Sequence, residues 1–535
     1  MTDDFLLRSD VVVEPLIARW HASSHLISPA TAALCVKYRN LATMRSYVKD
    51  PDLHKVACQD SGLLGGPFLD LNGGRISEIV ELIAWTEKHQ SHALKLAEAI
   101  KETWKLLEDH SDGCSLAYLY DYLPKALKGM VELVYTPNGS VDLRIIEPLL
   151  YRSPAYDTSL QGALIHQIAE TNRSFSMSTP RLDTHDSYYL DRPFTDKAFD
   201  LLGRMRIHPQ SRELIRETLN LPHNNTEFFT KFLTPSHASI TSPKPKTRWR
   251  YFGHACILIE TGSGQSILID PVIAYEANDE KTPRYSMADL PLEIDYVLIT
   301  HNHPDHVLVE TLLAIRWRVK TVLVPASGGS IVDPSLRLAL QALGFLDVRS
   351  LEWLDTIFDG NLVIRSLPFL GEHADLDIRS KTAWSVTVEN NQLLFAADSN
   401  NLSPDLYRKL SSELGTVRTL FLGMECQGAP MSWFYGPMLA KTVSREADQS
   451  RRLDGSNATR ALALVRALDV VEVKIYALGM EPWLKFISSL DHKDDSPAIV
   501  QSNQLILECQ ALGIAAERLY GKFECLLSEN QVIDL

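Results

Sequence analysis

Within six residues the chain carries three imidazoles and one carboxylate, in the run His301-Asn302-His303-Pro304-Asp305-His306. These are the donors that hold zinc, iron and similar cations, and so many of them this close would crowd polar groups without a cation between them. The preceding run IDYVLIT, residues 294–300, has the apolar, β-branched pattern of a buried strand, and Pro304 stiffens the turn after it. The donors therefore sit where a strand meets a loop, the usual place for a site. Two more runs offer donors of the same kind. Pro368-Phe369-Leu370-Gly371-Glu372-His373 supplies a glutamate and a histidine, and in an extended segment their side chains point to opposite faces, so only one of them is expected to reach a metal. The run LLFAA, residues 393–397, reads as a strand that ends on Asp398.

The HxHxDH spacing resembles the signature of the metallo-β-lactamase superfamily. In that superfamily His301 and His303 would hold one metal, while Asp305 and His306 would hold a second. Two cations a few ångströms apart repel each other and need a shared anion, and Asp398 stands where the superfamily places its bridging aspartate. The superfamily also expects a histidine after a late strand. None lies in residues 475–483 (IYALGMEPW), and the last histidine of the chain, His492, sits in the charged loop Asp491-His492-Lys493-Asp494-Asp495. If Glu372 rather than His373 is the donor, three histidines and three carboxylates result (His301, His303, His306, Asp305, Glu372 and Asp398), a hard set that favours iron over zinc. His254, near the first strand, is expected to be structural, and Glu425 follows a strand as Asp398 does, in a loop that also offers Trp433, Phe434 and Tyr435.

The elements that must position these residues change character along the chain. Residues 77–107 have apolar positions at helical spacing and no proline, which predicts one long amphipathic helix. Further helical runs fall at 29–48 and 196–219, with hairpins expected between 131 and 151. The polar, proline-bearing run Thr241-Ser242-Pro243-Lys244-Pro245-Lys246-Thr247 suits a linker, so a mainly helical α+β domain over 1–244 and a second domain over 245–535 are expected. The second has short apolar strands at 255–260 and 266–270, and others ending at Thr300, Val324, Ala397, Met424 and Ala477. This is the α/β pattern of an αβ/βα sandwich.

At 535 residues the chain exceeds what one core usually supports, and 45 % hydrophobic with 22 % charged residues is a globular profile. The formal charge of −14 disfavours nucleic acid as the main partner. Seven scattered cysteines without a CxxC pair suggest neither a disulfide framework nor a cysteine zinc site. No stretch approaches a membrane span and the start Met1-Thr2-Asp3-Asp4 shows no basic leader, so a cytoplasmic protein is expected.

The run HNHPDH, the segment GEHADLDIRSKTAW, the run FAADSN and the helical N-terminal part together resemble the diiron β-hydroxylases of chloramphenicol biosynthesis and their relatives, over essentially the whole chain. That resemblance implies a metallo-β-lactamase fold behind an N-terminal domain that helps form a homodimer, and a glutamate, here Glu372, in place of the third histidine. It implies the metal ligands His301, His303, Asp305, His306, Glu372 and Asp398, with Glu372 and Asp398 central to catalysis and His373 left either to support the ligands from behind or to packing. It further implies two irons, O2 as co-substrate and an external reductant. The reaction would place one oxygen on the β-carbon of an amino acid, aromatic in the best-known member, tethered as a thioester to the phosphopantetheine arm of a nonribosomal peptide synthetase carrier domain. Such chemistry needs no side-chain general base, and docking of an acidic carrier to this acidic chain would rely on local patches. Two other readings compete: a dinuclear zinc hydrolase of an ester, lactone or thioester, and a non-enzymatic assembly subunit, which the intact early ligands disfavour.

Overall fold

From Arg248 onward apolar side chains alternate in their destinations. Ile257, Ile259, Ile267 and Ile269 point into one buried cluster, while Leu258 and Leu268 point into another, the period of two that a strand buried on both faces requires. The computed structural model describes residues 4–60, 62–110, 112–168, 173–223, 225–236, 246–276 and 282–527. Two sheets of seven strands result. The first runs in the order Val348–Leu351, Val319–Pro325, Ile294–Leu298, Ser266–Ile269, Cys256–Glu260, Arg248–Gly253 and Phe523–Leu526. The second runs Thr356–Asp359, Leu362–Leu367, Ala383–Val388, Asn391–Phe395, Thr416–Gly423, Asp469–Tyr476 and Ala515–Arg518.

Between the sheets lie Trp249, Trp384, Phe395, Phe421 and Tyr476, all buried. On the outer face of the second sheet Leu420, Leu422, Val473 and Ile475 meet the helices Pro404–Leu414, Ala458–Ala467 and Pro497–Ala511. The expected αβ/βα sandwich is therefore present, with each motif-bearing strand ending where anticipated to within about two residues.

The outer face of the first sheet is covered partly by the N-terminal half. Phe5, Val11, Ile165, Phe199, Leu202 and Phe228 share one buried cluster with Leu258, Leu268, Leu312 and Leu340. Helix Lys197–Arg204 crosses helix Val309–Ile315 so closely that a Cβ on Gly203 would stand 2.3 Å from the Ala314 carbonyl oxygen. The linker expected at 241–247 lies, up to residue 245, outside the described residues.

The N-terminal half has more strand than the helical runs suggested: Trp20–His21, Val11–Ile17, Gln161–Gln167 and Ser187–Leu190 form an antiparallel sheet. The expected hairpin is present as Val131–Tyr135 with Val141–Ile145. The single helix expected over 77–107 is instead two, Ile76–His89 and Ser91–Asp109. Gln90 leaves helical geometry at φ −104°, ψ 26° with its side chain buried, so the chain turns there and each helix packs on a different neighbour. Periodicity alone carries no mark of such a turn. Among the described residues no helix is long and apolar enough to cross a membrane.

Candidate metal centre

The strand ends that face one another at one edge of the sandwich turn sharply. His254, Asp270, Ala397 and Ala477 each follow a strand with φ of +52°, +41°, +46° and +56°, and Glu372 has φ +67° in the loop between two strands. Left-handed backbone at residues other than glycine costs about 1–3 kcal/mol each and collects where a site over-determines it. Here it turns the chain at the points where the donors are presented.

Three sets of donor atoms each lie within 4.8 Å of one another: His301, His303 and Glu372; His301, His306 and Asp398; His254, Asp305 and His306. Glu372 Oε1 is 2.5 Å from His303 Nδ1 and 3.6 Å from His301 Nε2. Asp398 Oδ2 is 3.1 Å from His306 Nε2 and 4.0 Å from His301 Nε2. All six residues singled out in the sequence are thus brought together. The sets overlap at His301 and His306, so the donors form one continuous cluster, and the Asp398 carboxylate between those two imidazoles is the anion that two adjacent cations could share. His301 Nε2 and Asp398 Oδ1 are buried without a hydrogen-bond partner, an arrangement costly in an empty site and natural around cations.

The ionisation of the group follows from its crowding. Burial works against the Glu372 carboxylate, but the imidazoles of His303, His373 and His301 outweigh it and hold the carboxyl well below the ordinary range. Burial likewise opposes charge on His306, which Asp398 and Asp270 nevertheless hold well above its usual value. Asp398 is shifted upward, by burial first and then by the Glu372 and Asp305 carboxylates against the pull of His306. A chain with this many buried anions facing one another lacks positive charge at its centre, which two divalent cations supply.

Glu372 and His373 do not follow the extended geometry expected of them. Gly371, Glu372, Ala374 and Asp375 all have positive φ, so the segment curls and both side chains enter the site. The His373 ring stacks on His303 at 4.7 Å, outside all three donor sets. His254, expected to be structural, lies inside the cluster with Nε2 3.2 Å from Asp305 Oδ2. Glu481, in the late segment that lacks a histidine, is taken up by the Tyr251 hydroxyl. His492 reaches the same region from its loop, yet it sits 3.1 Å from Glu425 Oε2 and 2.9 Å from the Leu478 carbonyl rather than among the donors.

Two supporting roles escaped the sequence reading, those of Asp270 and of Tyr435. Asp270 is fully buried; its Oδ1 accepts the Thr300 backbone N–H at 2.8 Å, and its Oδ2 accepts the Thr300 hydroxyl at 2.6 Å and His306 Nδ1–H at 2.8 Å. Nε2 of His306 is thereby left to face Asp398. The Tyr435 hydroxyl lies 3.0 Å from His303 Nε2 and turns Nδ1 toward Glu372. The only signal for Asp270 was an aspartate at the end of a strand beside the motif strand. Gly423 has a spatial reason: a Cβ there would stand 2.4 Å from Asp398 Oδ1.

The cluster opens into a cavity of about 520 Å³. Asp305, Glu372 and Asp398 line its metal end, Phe175, Trp433 and Phe434 supply aromatic wall, and Trp20 and Arg39 come from the N-terminal half. His25 stands behind Phe434, ring to ring at 4.8 Å; burial, with His303 and Arg39 adding, pulls its pKa down to about 3, so it is a neutral imidazole.

Comparison with known proteins agrees with this geometry. Residues 6–236 match the diiron non-heme β-hydroxylase N-terminal domain and residues 249–405 match the metallo-β-lactamase superfamily. A 4-amino-L-phenylalanyl-[CmlP-peptidyl-carrier-protein] 3-hydroxylase of Streptomyces venezuelae is 39% identical over 529 residues, spanning 96% of this chain and 98% of that protein. The crystal structure of CmlA, a diiron β-hydroxylase from Streptomyces venezuelae, superposes with a TM-score of 0.91 at 37% identity, covering 98% of this chain and 100% of that one. A metal-dependent hydrolase of Anaeromyxobacter sp. is similar over 87 residues only, 33% identical, or 16% of this chain and 30% of its own. Likeness in both halves at once, at this identity, sets the oxygenase apart from the hydrolase, and the chain belongs to the diiron non-heme β-hydroxylase family.

Proposed function

We propose that this enzyme hydroxylates the β-carbon of an amino acid, of aromatic type, held as a thioester on the phosphopantetheine arm of a nonribosomal peptide synthetase carrier domain. In this reading His301, His303 and Glu372 would hold one iron of the family's dinuclear centre, Asp305 and His306 would hold the other, and Asp398 would serve both. The observation that carries it is the chain of three donor sets, linked through His301 and His306, at the end of an aromatic-walled cavity. Bound iron supplies the activation of O2, with electrons from an external donor. The chain's own residues hold and dry the site. Asp270 and Tyr435 fix the imidazoles, the curled loop 371–375 presents Glu372, and Trp433, Phe434 and Phe175 shed water around an apolar side chain.

His254 adds a second imidazole, and a third donor, on the Asp305 side. The N-terminal half, read as the domain up to residue 244, serves assembly and carrier docking as well as lining the cavity. Tyr118, Tyr120, Tyr122 and Tyr135 are exposed on it, an aromatic surface of the kind enriched in interfaces, and this supports a homodimer. Work on a synthetase carrier supports a cytoplasmic enzyme of antibiotic biosynthesis.

Metal analysis of anaerobically purified protein tests the reading, with about two irons per chain expected from the hard donor set. Two zincs, with thioester cleavage in place of hydroxylation, would remove it.

A further inference from the structure

The helical run from Pro29 to Lys49 contains one π-turn, Val36–Asn40. Such turns concentrate at functional sites. This one carries Arg39, 8% exposed, against the cavity that holds the metal donors. Its Nε donates to the neighbouring Asn40 Oδ1 at 3.3 Å. Among the described residues its terminal nitrogens have no hydrogen-bond or ion-pair partner. Other buried arginines are compensated. Arg181 meets Glu14 at 2.8 Å, Arg248 and Arg250 meet Glu260 at 2.7 and 3.0 Å, Arg316 meets Asp200 at 2.9 Å, and Arg318 donates to the Pro291 carbonyl at 3.0 Å. A largely buried guanidinium whose terminal nitrogens face a cavity without a protein acceptor is unfavourable, so Arg39 is poised for an oxygen that arrives from that cavity.

We propose that Arg39 binds the acyl carbonyl oxygen of the carrier-tethered substrate. The inference rests on the substrate class given above. An aminoacyl thioester has no free carboxylate, and the phosphate of the arm stays at the carrier's serine, so the acceptors that enter the cavity are carbonyl oxygens. The acyl carbonyl is separated from the β-carbon by a single carbon, and fixing it sets where the β-carbon lies relative to the metal end. The planar fork of arginine suits this task better than the point charge of lysine. It also gives the N-terminal half a direct part in substrate placement, since Arg39 reaches the cavity from a helix that the sandwich does not supply.

The test compares binding of two carrier proteins to the metal-loaded full chain by titration calorimetry. One carries the aminoacyl thioester, the other a thioether in which CH2 replaces the acyl carbonyl. The wild type should prefer the thioester by about tenfold or more, the size of one charge-assisted hydrogen bond. Arg39→Leu should abolish the preference, and Arg39→Lys should retain part of it. Equal weakening of both carriers would assign the guanidinium to an amide of the arm and overturn the proposal, as would no change in either. If Arg39→Leu does not fold, the preference in Arg39→Lys decides, a full wild-type preference counting against the proposal. The substrate class fails separately, if the wild type hydroxylates no carrier-bound aminoacyl group.

Discussion

Glu372 and His373 are chain neighbours that both reach His303, the carboxylate at 2.5 Å from Nδ1 and the imidazole stacked on the ring at 4.7 Å. Only the carboxylate belongs to a donor set. Glu372→Ala should therefore lose iron and hydroxylation together, whereas His373→Ala should keep the metal, as iron counting on the purified variants would show. Glu372→His removes one negative charge and should raise the zinc-to-iron ratio. Metal loss at His373 with indifference at Glu372 would reverse the assignment.

Asp270 holds His306 from behind with a 2.8 Å bond. Asp270→Asn keeps the volume but leaves the imidazole free to choose the wrong tautomer, and iron affinity should fall about 10- to 100-fold. Chelator competition measures this directly. Unchanged affinity would reduce Asp270 to a packing residue.

Most of what could be read beforehand concerned donors at strand ends. Glu372 was separated from His373 only by the family resemblance, whereas HNHPDH and Asp398 are legible because a metal site needs several donors in a short span or at a strand end, and both marks survive in one dimension. Asp270 and Tyr435 are not, since a lone aspartate and a lone tyrosine acquire meaning only through His306 and His303, which lie 36 and 132 residues away. The strands were legible as short apolar runs that stop at polar clusters. The break at Gln90 and the curl at Glu372 were not, because each is imposed by what packs around it. Nor was the shared core, in which Phe199 and Leu202 meet Leu312.

That core bears on the N-terminal half as a unit. Glu14, buried beneath it, meets Arg181 at 2.8 Å, Arg173 at 3.3 Å and His21 at 2.9 Å. Burial opposes its charge, but Arg181 and Arg173 prevail and hold its carboxyl well below the ordinary 4.5. A depressed folded pKa contributes stability that is present above the unfolded value and lost as pH falls through the folded one. Glu14→Gln should thus cost about 3–5 kcal/mol at neutral pH, since it takes from the buried Arg181 its carboxylate partner, while Arg173 keeps Glu310. The penalty should shrink as the pH drops below 4.5, visible in paired denaturant titrations. A penalty independent of pH would contradict the charge argument.

Tyr122 is 69% exposed, with Tyr118 and Tyr120 on the same short helical turn. If this surface is the homodimer contact, light scattering on the full chain should give a dimer and Tyr122→Glu should give a folded monomer. A monomeric wild type would remove the assembly reading.

The central claim is oxygen insertion at the β-carbon by a diiron centre. The most direct measurement is a single turnover of iron-loaded, chemically reduced full-length enzyme with an aromatic aminoacyl carrier under isotopically labelled O2, followed by mass analysis of the released amino acid. One labelled oxygen atom should appear on the β-carbon, with none in zinc-loaded enzyme. An unlabelled free amino acid, formed by water attack on the thioester at equal rates with either metal, would contradict it.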